Sequence, residues 1–132
     1  MSSIVEKYIG KVWESGARGP EKFDCWGLIV YILENEFGVE IDEEYYIHGK
    51  DTKNIARAYE KAIYGDHWIR QETPTEGSAV ALSKGYKIHH AGIWLDNGCL
   101  HSCDNSHVVH NSISRLRLNG YNRIEFYRWH ML

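Results

Sequence analysis

Eight of the 132 residues are His and three are Cys, and seven of those eleven fall between His89 and His110. Thiols and imidazoles crowded in this way suit one of two chemistries: ligating a metal, or acting as nucleophile and base. The third thiol, Cys25, lies outside the crowd, in Phe23-Asp24-Cys25-Trp26-Gly27-Leu28. A thiol attacks as its thiolate, and a helix N-terminus with a nearby imidazolium brings a Cys pKa into the range of about 3.5–7.5. Asp24 stands where an N-cap belongs, which puts Cys25 in the first turn of the helix that follows. A base must then arrive from elsewhere in the chain, held by a third polar group.

His90 and His101 are the candidates, and alternation along a β-hairpin relates them. Asn97-Gly98, flanked by Ala91 to Leu95 and Cys99 to Ser102, is a strong hairpin signal. A two-residue Asn-Gly turn pairs Asp96 with Cys99, Leu95 with Leu100 and Trp94 with His101. His90, Gly92, Trp94 and His101 then share one face, and Ile93, Leu95 and Leu100 take the other, which suits a core. His89 points away from His90 and reads as a structural or exposed histidine.

The surrounding elements follow from periodicity and caps. Ser2 or Ser3 caps a short helix through about Val12, with Ile4, Val5, Tyr8 and Ile9 on one face. A loop, Ser15 to Pro20, leads to Phe23-Asp24. From Cys25 a helix that is almost wholly apolar runs to Glu36 and Phe37, stopped by Gly38, and must be buried on most sides. Asp42-Glu43-Glu44 reads as a solvated loop, and Asp51-Thr52 opens a second amphipathic helix that ends at Gly65. From Trp68 the period turns toward two. Ala79 to Leu82 is a strand after a turn from Thr73 to Gly77, Ser112 to Leu118 is a short helix or turn, and Ile124 to Trp129 is a closing strand. Helices first and antiparallel strands later make an α+β domain.

Composition sets bounds. A chain of this length suits one domain, 1–132. With 13% aromatic residues and interspersed charges it is not a disordered segment. The longest apolar run, Cys25 to Leu33, is too short for a membrane span. A formal charge of −3 argues against a nucleic-acid partner. The first residues carry no apolar signal core, so the expectation is synthesis in the cytoplasm without a signal peptide, with an odd cysteine count read as free thiols.

Together, Phe23-Asp24-Cys25-Trp26-Gly27-Leu28, the buried helix, His90-Ala91-Gly92-Ile93-Trp94-Leu95 and His101 resemble the NlpC-type cell-wall peptidases. The likeness extends to Gly10-Lys11-Val12-Trp13, Gly16, Pro20 and Phe23, and covers about Ile9 to Trp129. It implies a papain-like fold and cleavage of peptidoglycan stem peptides, typically after γ-D-glutamate. The peptidoglycan peptide is then the substrate partner, and no cofactor is needed. By the same resemblance Cys25 is the nucleophile, His90 the general base and acid, and His101 the residue that orients His90. The Cys25 backbone N–H would help to hold the oxyanion. Trp after the cysteine is similar to a branch found in phage tail proteins, which implies tail proteins as partners and a virion location.

Three departures from the family pattern bear on the site. Trp13 stands where the family has Tyr, so its indole N–H would have to serve in place of a hydroxyl. Gly77-Ser78 replaces the usual Gly-Asp. The His90 to His101 spacing is one residue short, which without a gap would put Ser102 at the third position. Trimming the turn to Asn-Gly keeps His101 facing with His90.

Two other classes remain. His90, Cys99, His101 and Cys103 point the same way on the hairpin and could hold zinc, although no Cys-x-x-Cys or helical His-x-x-x-His spacing is present. A peptidase-like fold could also serve as a structural tail or assembly component with weak or lost activity.

Overall fold

A computed structural model describes residues 3–41 and 67–132. Its elements are α1 (Ser3–Tyr8), β1 (Val12–Trp13), β2 (Lys22–Phe23), α2 (Cys25–Glu36), β3 (Trp68–Gln71), β4 (Ala79–Lys84), β5 (Lys87–Leu95), β6 (Gly98–Ser102), β7 (Val108–Asn111), α3 (Ile113–Leu118) and β8 (Arg123–Trp129). Six strands form one antiparallel sheet in the order β3-β8-β4-β5-β6-β7, and β1 and β2 form a small parallel pair. This is the expected α+β arrangement. The expected helix to Gly65 and the loop at Asp42 lie outside the described residues. No helix among the described residues is long and apolar enough to cross a membrane.

The α2 helix is built as its sequence demands. Asp24, in extended conformation, caps its start; Phe37 ends it, and Gly38 follows in the left-handed region at φ 70°. Leu28, Ile29, Ile32 and Leu33 are fully buried with Ile93, Leu95 and Leu100 of the sheet. Each such side chain contributes about 1.5–3 kcal/mol by leaving water. The opposite sheet face carries a second, smaller core of Val80, Leu82, Trp94, Cys99 and Phe126, closed by Leu116 of α3. Ser112 caps α3, its Oγ accepting from the Arg115 N–H at 3.2 Å.

The N-terminal helix is shorter than its pattern predicts. It stops at Tyr8, and Val12–Trp13 is a strand. Gly10 turns the chain at φ 87°, and its N–H donates to the Val108 carbonyl at 2.9 Å. Val108 N–H returns a bond to Lys11 O at 2.8 Å, and Trp13 N–H donates to Ser106 O at 3.0 Å. Pairing with a segment nearly a hundred residues away outweighs local helix periodicity. Lys7 and the Tyr8 hydroxyl both reach Glu36, tying α1 to the end of α2.

The hairpin also differs from expectation, by one residue of turn. Asp96 and Asn97, at φ 51° and 59°, form the bend, and Gly98 is the first residue of β6, opposite Leu95. Both turn positions of this tight hairpin need positive φ, which Asp and Asn tolerate. Gly98 is needed for a different reason: a Cβ there would lie 2.7 Å from the His110 imidazole. That ring lies beside Gly98 and reaches the Leu95 carbonyl at 2.8 Å. Moving the turn by one residue changes each cross-strand partner by two, so Trp94 pairs with Cys99 and Ile93 with Leu100, and His101 lies beside Gly92. The faces are unchanged because side chains alternate with a period of two.

Candidate active site

The start of α2 is clamped by both oxygens of one carboxylate. Asp24 Oδ1 accepts from the Gly27 N–H at 2.6 Å, and Oδ2 accepts from the Gly16 N–H at 3.1 Å. Asp24 N–H donates to Ala17 O at 2.9 Å, so the Gly16–Ala17 loop lies directly on the first helical turn. A Cβ on Gly27 would run into that Ala17 carbonyl. Cys25, 8% exposed, occupies the first helical position. Asp24 therefore shapes the helix start, both its oxygens being used in holding backbone.

His90 and His101 meet. Their ring nitrogens Nε2 and Nδ1 lie 2.9 Å apart with the rings nearly perpendicular, and both side chains are buried. Gly92 makes this possible: a Cβ at that position would collide with Cys99 Sγ and lie 2.9 Å from His101 Cβ. His101 Nε2 is in turn 2.7 Å from Oδ1 of Asn111 on β7. The three residues step diagonally across β5, β6 and β7, where long side chains on one face reach each other.

Burial dictates the electrostatics. It lowers the His90 pKa to about 3, with the neighbouring His101 and Lys84 adding to the effect. It lowers His101 as well, opposed by the Asn111 hydrogen bond. Both imidazoles are thus held neutral, where the sequence suggested an imidazolium beside the thiol. Tyr121 stacks on His90, with centroids 6.2 Å apart and planes at 16°, and Lys84 Nζ sits 4.8 Å from the tyrosine ring centre. Burial raises the Tyr121 phenol to about 12, with Cys103, Asp104, Cys99 and Cys25 adding to the shift. A cavity of about 180 Å³ opens here, lined by Lys84, His89, His90, Cys103, Asp104 and Tyr121.

The other sequence candidates sort as follows. Ser102 faces away from the histidines, its hydroxyl donating to the Phe23 carbonyl at 2.7 Å. Trp13 Nε1 is buried without an acceptor among the described residues, as is the indole nitrogen of Trp68. Ser78 is fully buried and accepts from Thr75 N–H at 2.9 Å while donating to Gln71 Oε1 at 2.5 Å, so it closes a turn. His89 is exposed and bonds the Lys84 carbonyl. Cys103 Sγ lies 3.6 Å from His101 Nδ1, and burial raises its pKa and that of Cys99. Among the described residues no group of three or more His, Cys, Asp or Glu has metal-holding geometry. His90 and His101 spend ring nitrogens on each other.

Asn111 and Tyr121 escaped the sequence reading. For Asn111 the signal was the strand pattern of Val108 to Asn111; Tyr121 follows α3 in a segment with no strand or cap pattern of its own.

Known proteins share this fold and sequence pattern. The sequence model of the NlpC/P60 family matches residues 10–125. The chain is 28% identical over 116 residues to a probable endopeptidase p60 of Listeria grayi, covering 88% of this chain but only 19% of that protein. In structure it resembles the NlpC/p60 domain of the peptidoglycan hydrolase SagA, with a TM-score of 0.58, 21% identity, and coverage of 93% of this chain and 90% of that one. It also resembles NlpC1 from Trichomonas vaginalis, with a TM-score of 0.62, 15% identity, and coverage of 96% and 41%.

Proposed function

The chain belongs to the NlpC/P60 family, and from that premise we propose that it is a cysteine peptidase that hydrolyses peptidoglycan stem peptides at the bond between γ-D-glutamate and the following diamino acid. The observation that carries this reading is the buried 2.9 Å contact between His90 and His101, on strands packed against the helix that begins with Cys25.

In this mechanism Cys25 Sγ bonds to the scissile carbonyl carbon while His90 takes the thiol proton. The tetrahedral oxyanion is held by the Cys25 backbone N–H at the positive end of α2, with the Trp13 indole N–H as second donor and Asp24 as the support that keeps the turn in place. The C–N bond then breaks, the amine leaves with the proton from His90, and an acyl-enzyme remains. Water, deprotonated by His90, hydrolyses the thioester to a carboxylate and returns the proton to sulfur. His101 orients His90 throughout. The reaction draws on no cofactor.

Residues 1–132 act in this reading as one peptidase domain. The chain spans about a fifth of its curated relative, and Trp26 beside Cys25 favours delivery by a phage or prophage tail. Purified tail particles lacking the chain would count against that delivery. The hydrolysis itself is tested with defined muropeptides: wild-type protein should release the stem-peptide fragment, and a folded Cys25→Ala variant should release none. Full turnover by that variant would overturn the mechanism.

A further inference from the structure

We propose that Asn111 is a positioning residue that sets the protonation pattern of both active-site histidines, so that His90 presents an unprotonated Nδ1. The inference rests on the peptidase reading for its catalytic meaning, and on hydrogen-bond bookkeeping alone for its structure.

The chain of bonds has one consistent direction. Asn111 Nδ2 donates to the His110 carbonyl at 3.3 Å, and Oδ1 lies 2.7 Å from His101 Nε2. Turning the amide over would set its oxygen against the His110 carbonyl oxygen, two acceptors facing each other. Oδ1 therefore accepts, and His101 Nε2 carries the proton. A neutral His101 is then bare at Nδ1, which can only accept from its partner at 2.9 Å. His90 Nε2 must be the donor, and its lone pair stands on Nδ1, the nitrogen left for a thiol proton. Burial holds both rings in the neutral state that this pattern requires. Asn111 is half-buried and touches neither His90 nor the thiol in this chain of bonds. It acts through His101, and a neutral amide suffices because neither histidine needs a counter-charge at rest.

The consequence of removal follows. In Asn111→Ala the His101 Nε2–H loses its acceptor, and the tautomer with the proton on Nδ1 is no longer excluded. That form opposes the His90 Nε2–H and drives the His90 proton to Nδ1, where it blocks the base. Loss of a partner that orients a metal-bound imidazole costs roughly 10- to 100-fold, and here a loss of that order should fall on kcat, with KM nearly unchanged. Asn111→Asp keeps an acceptor at the same place, so it should preserve both tautomers and restore much of kcat. Its carboxylate also favours protonated histidine, so the acid limb of the pH profile should move to higher pH.

The experiment is long-range 1H–15N correlation of the imidazole rings in full-length protein, together with muropeptide kinetics. Wild type should show His90 and His101 both protonated at Nε2, Asn111→Ala should lose that pattern, and Asn111→Asp should keep it. An unchanged imidazole pattern in Asn111→Ala overturns the proposal, whatever the activity. If Asn111→Ala does not fold, an Asn111→Asp variant with no change in either histidine pKa does the same. A wild-type pattern that depends on Asn111, in a protein that cleaves no muropeptide, sustains the positioning role and refutes the hydrolase reading instead.

Discussion

The Ser102 hydroxyl donates to the Phe23 carbonyl across 2.7 Å of buried space, and this bond joins the end of β6 to the residue two before Cys25. His101 precedes Ser102, so the two sides of the site are tied through adjacent backbone. Ser102 resembled a candidate third catalytic group by spacing; its place on the opposite face makes it a brace. Replacing Ser102 with Ala removes a buried hydrogen bond worth about 1 kcal/mol, because the Phe23 carbonyl keeps a partner in the Glu14 N–H at 3.3 Å. Urea denaturation should register that loss, and muropeptide turnover should fall by more than the stability change explains. Unaltered turnover would mean that the brace does not set the geometry of the site.

Gly92 is the opening through which the two histidines meet. In Gly92→Ala the new methyl would press on Cys99 Sγ, on the Leu100 carbonyl at 2.8 Å and on His101 Cβ at 2.9 Å. Overpacking of this kind costs roughly 1–3 kcal/mol, and the strand shift that relieves it separates His90 from His101. The expected outcome is a folded, less stable protein with little activity, measured by thermal melts and kinetics in parallel. Equal loss in both would make Gly92 a fold residue only.

Acid should inactivate this site later than an exposed histidine would predict. With His90 lowered from 6.5 to about 3, the acid limb of kcat/KM should fall below the ordinary histidine range. Stability moves the other way. Between 6.5 and about 3 the unfolded chain binds a proton at this histidine that the folded chain does not, so stability is full above 6.5 and declines as pH falls. The loss is of order 1 kcal/mol per pH unit. Denaturant midpoints at about pH 7.5 and about pH 5 should differ accordingly, and a His90→Gln variant should show the smaller difference.

Iodoacetamide should distinguish the three thiols at neutral pH. Cys99 is fully buried with a raised pKa, and Cys103 is half-buried with a raised pKa. Cys25, at the N-terminal end of α2, should label first, then Cys103, then Cys99, as followed by peptide mass spectrometry. Equal rates would remove the case for an activated Cys25.

Short-range rules made much of this protein legible from its residues. Asp24 before an apolar run identified the α2 cap, Gly38 its end, and alternation put His90 and His101 on one face. That last inference survived an incorrect turn because the shift in partners was two, and two is the period of a strand. What needed the tertiary structure was whatever depends on distant neighbours. Local pattern made Val12 helical, but backbone bonds to Ser106 and Val108, with β2 alongside, hold that segment extended. Asn97-Gly98 promised the turn, but the turn lies at Asp96-Asn97, and Gly98 opens β6 beside the His110 ring. The partner of His101 could not be read until β7 lay beside β6 and brought Asn111 within 2.7 Å of it. Propensity and alternation act over a few residues, whereas register and the hydrogen-bond chain are decided by which strands pack together.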